Sequence, residues 1–144
     1  MDVEEGDAVP RSPVSVELRF RGHRMVQDKP AASGGRDEGP MASEYLLGAL
    51  LACQHSTFVK VAAKRRIEAR VLGLRGELHF RDGDIVRIVV HYRMEASAEV
   101  ADDALVTLLR LTDRSCTISK ALKLPVESDY LRSPAPPADR TSSR

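Results

Sequence analysis

The chain has 144 residues, enough for one domain with a core, with 42% hydrophobic and 30% charged residues and a formal net charge of +1. That near-neutral balance removes the electrostatic reason to expect nucleic acid or anionic lipid as a partner, and three Phe, three Tyr and no Trp leave little for a base-stacking platform. The acidic opening "MDVEEGDAVPRSP" has neither the basic start nor the apolar stretch of a signal peptide, and the two cysteines suit a reducing cytosol, so a cytoplasmic protein is expected.

Residues 1–13 read as a flexible N-terminal tail, acidic and carrying two prolines. "VSVELRF" (14–20) alternates, with Val14, Val16, Leu18 and Phe20 on one face, which predicts a strand. "GHRMVQD" (22–28) predicts a second strand after a turn at Arg21-Gly22. "KPAASGGRDEGP" (29–40) is turn chemistry throughout, a flexible loop; its Gly34-Gly35 lacks the Lys and Ser/Thr of a phosphate loop.

A helix is expected from near Ala42, with Ser43 as candidate cap, to about Arg65. Its first half is apolar almost all round, which means burial on all sides rather than one wet face. The run Tyr45 to Ala52 is too short to cross a bilayer, and Gln54, His55 and Lys60 follow it, so no membrane partner is expected. Lys64, Arg65 and Arg66 close the helix with favourable positive charge.

Residues 69–81 and 84–96 predict a hairpin around Asp82-Gly83. "DDALVTLLRLTDRS" (102–115) has helical periodicity, "CTISKALKL" (116–124) is a further helix or its continuation, and Pro125 stops it. "VESDYL" (126–131) closes the domain as a strand, and residues 132–144, rich in Pro and Ser, read as a flexible C-terminal tail. The order β-β-α-β-β-α-α-β over residues 14–131 is an α+β domain. Two hairpins and one short strand cover only part of a helix that is apolar all round, so an obligate homodimer with a second sheet is expected.

"HRMVQDKPAASGGRDEGPMASEYLLGALLAC" (23–53) and "CTISKAL" (116–122) resemble two motifs of the OsmC/Ohr family, the osmotically induced and organic hydroperoxide resistance proteins. The first carries a Gly-Gly and Gly-Pro loop, then a Glu nine residues before a cysteine in a Leu/Ala-rich helix. The second resembles Cys-Pro-x-Ser-Lys-Ala, with Thr117 in place of the usual Pro. The resemblance covers residues 16–130. It implies an OsmC-like fold, two sheets wrapping long central helices in an intertwined homodimer. It also implies a thiol-dependent peroxidase of the oxidative stress response, acting on organic hydroperoxides and recycled by an external dithiol reductant. It carries Cys53 over as the peroxidatic residue, Cys116 as the resolving one and Glu44 as a catalytic partner. The peroxidase branch places its Glu where this chain has Ser43, so Glu44 matches the broader OsmC-like branch. The peroxidase branch's arginine stays open among Arg19, Arg21, Arg24 and Arg36.

The chemistry sets its own conditions. A thiolate, not a thiol, attacks a peroxide, and burial alone raises a cysteine pKa, so a nearby cation is required on this reading. Nine residues along a helix is about 13.5 Å of rise and about half a turn out of phase, so Glu44 cannot touch Cys53 within one helix. It can act through an arginine or from a partner subunit; otherwise it is a carboxylate favourably placed in a first helical turn. A cysteine in an apolar helix is commonly a small packing residue; the second cysteine motif favours chemistry. Histidines 23, 55, 79 and 91 show no ligand spacing with the cysteines, so neither a metal nor any other cofactor is expected. The alternative is a dimer of the same fold that binds a hydrophobic small molecule with little turnover.

Overall fold

The computed structural model describes residues 1–136 and forms two compact units, Met1–Gly48 and Ala49–Arg144. The long helix α1 (Ala42–Arg65) begins in the first and continues into the second. Three strands of each unit form a sheet, giving an α+β fold with two sheets and a central helix.

In the first unit β1 (Asp7–Ser12), β2 (Ser15–Phe20) and β3 (His23–Gln27) pair antiparallel in that order. Arg21 (φ 48°) and Gly22 (φ 85°) make the tight turn between β2 and β3, both in the left-handed region a primed hairpin turn needs. β1 corrects the reading of residues 1–13 as a tail. Its residues are all exposed and its register slips between Pro10 and Ser12, so it adds to the sheet edge by backbone pairing with no apolar pattern to announce it.

Residues 29–40 are built around one buried carboxylate, not loose. Asp28 is 2% exposed; its Oδ1 accepts the Lys29 N–H (2.8 Å), and its Oδ2 accepts those of Arg36 (3.1 Å) and Glu38 (3.2 Å). A Cβ on Gly35 would stand 1.9 Å from the Lys29 carbonyl oxygen, and one on Gly39 2.0 Å from that of Val26. The glycines therefore serve close backbone approach here, not hinge freedom. The Tyr45 hydroxyl donates to the Val26 carbonyl (2.7 Å), fixing the first turn of α1 to β3.

In the second unit β4 (Ala69–Arg81) and β5 (Asp84–Ala96) form the expected hairpin, turning at Asp82 (φ 53°) and Gly83 (φ 88°). β6 (Val126–Pro134) pairs with β5 in parallel, from Ile88↔Val126 to Ala96↔Pro134. The strand thus runs three residues into the stretch read as C-terminal tail; residues 137–144 lie outside the described residues. Ile88, Val90, Tyr92, Met94 and Ala96 alternate along β5 on its buried face. Leu105, Leu108, Leu109 and Thr112 are the buried stripe of α2 (Asp102–Ser115), and α3 (Thr117–Leu122) follows after a single residue.

α1 ends where Arg66 (φ 55°) turns left-handed and Ile67 N–H returns to the Ala62 carbonyl (3.0 Å). Within the chain it is not buried all round: Leu50, Gln54, Phe58 and Ala62, four residues apart, form the buried stripe, while Val59 is 52% exposed. By length and composition α1 is apolar enough to cross a membrane, contrary to the shorter run read from sequence. Its buried Gln54, hydrogen-bonded to three other elements, makes it a core helix.

Candidate active site

Cys53 lies on α1 facing the break between α2 and α3. Cys116 is that break: with φ −69° and ψ 120° it ends α2, its N–H accepted by the Thr112 (2.9 Å) and Asp113 (3.3 Å) carbonyls, and it starts α3, its Sγ accepting the Ser119 N–H (3.5 Å). A cysteine that caps two helices cannot drift, and its thiol is directed at α1. The Cys116 S–H donates to Cys53 Sγ at 2.8 Å. Both cysteines are free; Cys53 is half-buried, whereas Cys116 is sealed at 0% exposure.

The two thiols are pushed in opposite directions. Burial is the largest influence on Cys53 and opposes its ionisation. Hydrogen bonds from the Cys116 thiol, the Ile118 N–H, the Thr57 hydroxyl and the Thr117 N–H outweigh it and hold Cys53 below its ordinary value. Cys116 is raised, first by burial and then by its accepting neighbour Cys53. The pair is thus a reachable cysteine favoured toward ionisation beside a sealed one disfavoured from it.

None of the five leading influences on Cys53 is an arginine. Arg19, Arg21, Arg24 and Arg36 all belong to the first unit, where Arg19 pairs with Glu17 and Arg36 lends its backbone N–H to Asp28. Glu44 also has a local partner: its Oε2 accepts the Met41 N–H at 2.7 Å, reaching back from the third helical position to the cap residue. Ser43, the candidate cap, stands inside the helix instead.

Sequence reasoning missed the polar cluster beside the thiols. Gln54 is 0% exposed; its Nε2 donates to Asp113 Oδ1 (3.2 Å) and Ser119 Oγ (2.9 Å), and its Oε1 accepts the Tyr92 hydroxyl. Burial raises the Tyr92 phenol, which keeps it an O–H donor. The signal was a glutamine in an otherwise apolar run; its partners lie 38 to 65 positions away and leave no local pattern.

Residues 35–130, which hold both cysteines and the Gln54 cluster, match the OsmC-like protein family. The chain belongs to that family. A comparison with curated protein sequences finds no match. Among solved structures, an OsmC-like protein of unknown function from Vibrio cholerae is similar with a TM-score of 0.74 at 15% identity, covering 91% of this chain and 100% of that one. An organic hydroperoxide resistance protein from Legionella pneumophila gives 0.66 at 14% identity, with 92% and 98% covered. The organic hydroperoxide resistance protein of Bacillus subtilis gives 0.62 at 17%, again with 92% and 98% covered. At these identities the likeness is one of fold. The OsmC-like topology is what brings the two distant cysteines of this member together.

Proposed function

We propose that this OsmC-like protein is a cytoplasmic, homodimeric thiol peroxidase that reduces organic hydroperoxides to alcohols. One observation carries the reading: a half-exposed cysteine held toward its thiolate lies 2.8 Å from a sealed cysteine held as a thiol. The names of the Legionella and Bacillus structures point the same way.

In the proposed cycle the Cys53 thiolate attacks one peroxide oxygen, the O–O bond breaks, and the departing alkoxide takes up a proton to leave as an alcohol. Cys53 is left as a sulfenic acid. The Cys116 sulfur then attacks Cys53, a disulfide forms, and the sulfenic oxygen leaves as water. An external dithiol returns both residues to the reduced state by exchange. Glu44 enters through its charge, by orienting an arginine. Glu44→Gln keeps the cap acceptor and removes only the charge, so a rate lost in Glu44→Gln at unchanged melting temperature supports this role, whereas an unchanged rate leaves Glu44 a helix-start residue.

The deciding experiment is a single-turnover titration of the reduced protein with cumene hydroperoxide, followed by thiol counting and intact mass, beside Cys53→Ser and Cys116→Ser. Two thiols lost per hydroperoxide, as a Cys53–Cys116 disulfide that neither variant forms, is the expected result. Survival of both thiols in a modest excess of peroxide overturns the proposal. The reading then left is a dimer that binds a hydrophobic small molecule, which the lack of an arginine among the leading influences on Cys53 favours.

A further inference from the structure

Gln54 follows Cys53 directly, and its side chain grips the opposite cysteine from both sides. Asp113 and Ser119, the two residues its amide N–H groups reach (3.2 and 2.9 Å), stand three before and three after Cys116. Each of them also bonds Cys116 itself: the Asp113 carbonyl accepts the Cys116 N–H (3.3 Å), and the Ser119 N–H donates to Cys116 Sγ (3.5 Å). The amide oxygen accepts the Tyr92 hydroxyl from β5. Both N–H donors of the primary amide and its carbonyl oxygen are therefore engaged, three hydrogen bonds to three different elements, at 0% exposure.

A glutamine is the side chain this geometry asks for. Leucine would leave Asp113, Ser119 and Tyr92 without their shared partner. A glutamate would accept from Ser119 and Tyr92 but face the Asp113 carboxylate with like charge. We propose that Gln54 is the positioning residue of the thiol pair: by holding the α2–α3 break against α1 it sets the separation of Cys53 and Cys116, and with it the rate and the equilibrium of disulfide closure. The rate rests on the peroxidase reading; the equilibrium requires only that the two thiols close to a disulfide.

The test therefore uses two oxidants. The reduced protein, Gln54→Leu, Gln54→Glu and the swapped pair Gln54→Glu/Asp113→Asn are equilibrated with mixtures of reduced and oxidised glutathione. In this exchange the dithiol gives its two electrons and two protons to glutathione disulfide, yielding the protein disulfide and two glutathione thiols. Trapping by alkylation and counting by intact mass gives the constant. Gln54→Leu and Gln54→Glu are expected to shift it roughly tenfold or more toward the dithiol, and the swapped pair to return to within about threefold of the parent.

A merely structural glutamine would lower the melting temperatures of both redox forms alike and leave the constant unmoved; that result, or failure of the swap to restore it, overturns the proposal. Should Gln54→Leu not fold, Gln54→Glu against the swapped pair still decides. With cumene hydroperoxide in place of glutathione, disulfide closure in Gln54→Leu is expected to lag behind oxidation of Cys53, so that sulfinic acid accumulates where the parent forms the disulfide. If no variant and not the parent reacts with the hydroperoxide, the peroxidase reading has failed, while the glutathione constants still judge Gln54.

Discussion

At the scale of single residues, ionisation of Cys53 is favoured by hydrogen bonds, and each donor can be withdrawn. After burial, which opposes ionisation, the Cys116 thiol is the first influence on Cys53 and acts to lower it. Cys116→Ala removes that donor, so Cys53 is expected to ionise at higher pH, read from thiolate absorbance across a pH titration. An unchanged titration would mean that the sulfur–sulfur contact does not govern ionisation. Thr117 makes a finer point: its backbone N–H is one of the groups lowering Cys53, and proline, the usual residue after this family's second cysteine, has none. Proline is tolerated at a first helical position, so Thr117→Pro should leave the melting temperature nearly unchanged and move Cys53 upward. The rate of Cys53 oxidation should rise with pH and level off once Cys53 is fully ionised, below the pH at which an ordinary thiol levels off.

Elements carry the next set of consequences. The loop between β3 and α1 depends on Asp28 and on glycines that admit close backbone approach. Gly35→Ala places a methyl group against the Lys29 carbonyl and should cost about 1–3 kcal/mol, measured by denaturant unfolding. Asp28 is held below its ordinary value, first by the Lys29 N–H and also by those of Glu38 and Arg36. A depressed carboxyl stabilises above its unfolded pKa, so this contribution should disappear as pH falls from about 4 through the folded value. His91 has the opposite sign: Asp129 (2.6 Å) first, and Glu77 (3.2 Å) with it, raise its pKa across β4, β5 and β6, so its contribution is full below about pH 6.5 and is lost as pH rises through the folded value. Asp28→Asn and His91→Gln should each flatten its own limb of the stability–pH curve. Much of this framework was legible in the sequence: α1, the hairpin at Asp82-Gly83, α2 and the place of both cysteine motifs follow from periodicity, turn residues and resemblance. β1 was not, because an exposed edge strand containing Pro10 has no alternation to read. The order in residues 29–40 was hidden because Asp28 organises them through backbone N–H groups, which any residue but proline supplies. Gln54 was hidden because long-range hydrogen bonds leave no spacing.

At the scale of the whole molecule, α1 is long and apolar while its buried stripe within one chain is a single row. Ala52, Val59 and Ala63 lie exposed on other sides of it, and an apolar helix face of this length left in water marks an interface. A lipid bilayer and a second copy are both apolar enough to cover it. The buried Gln54, hydrogen-bonded to α2, α3 and β5, and the exposed Lys60, Lys64 and Arg65 on the same helix favour the second copy, since a bilayer would have to desolvate those cations. Val59→Glu tests this directly. If two α1 helices cover one another, a carboxylate buried there without a partner costs about 3–5 kcal/mol and weakens association roughly 10²- to 10⁴-fold. Sedimentation equilibrium of the parent should give a dimer, and the variant should shift to monomer over the same concentrations while Cys53 and Cys116 keep their contact. A parent that is monomeric at every concentration sinks the homodimer, and a variant that dimerises as tightly as the parent moves the interface off this face of α1. The result also bears on the chemistry, because the leading groups that lower Cys53 within one chain are hydrogen-bond donors, and a cation delivered across a dimer interface would add to them. Dissociation by Val59→Glu should then raise the Cys53 titration along with the monomer fraction, and a titration that stays put would place every group that ionises Cys53 within its own subunit.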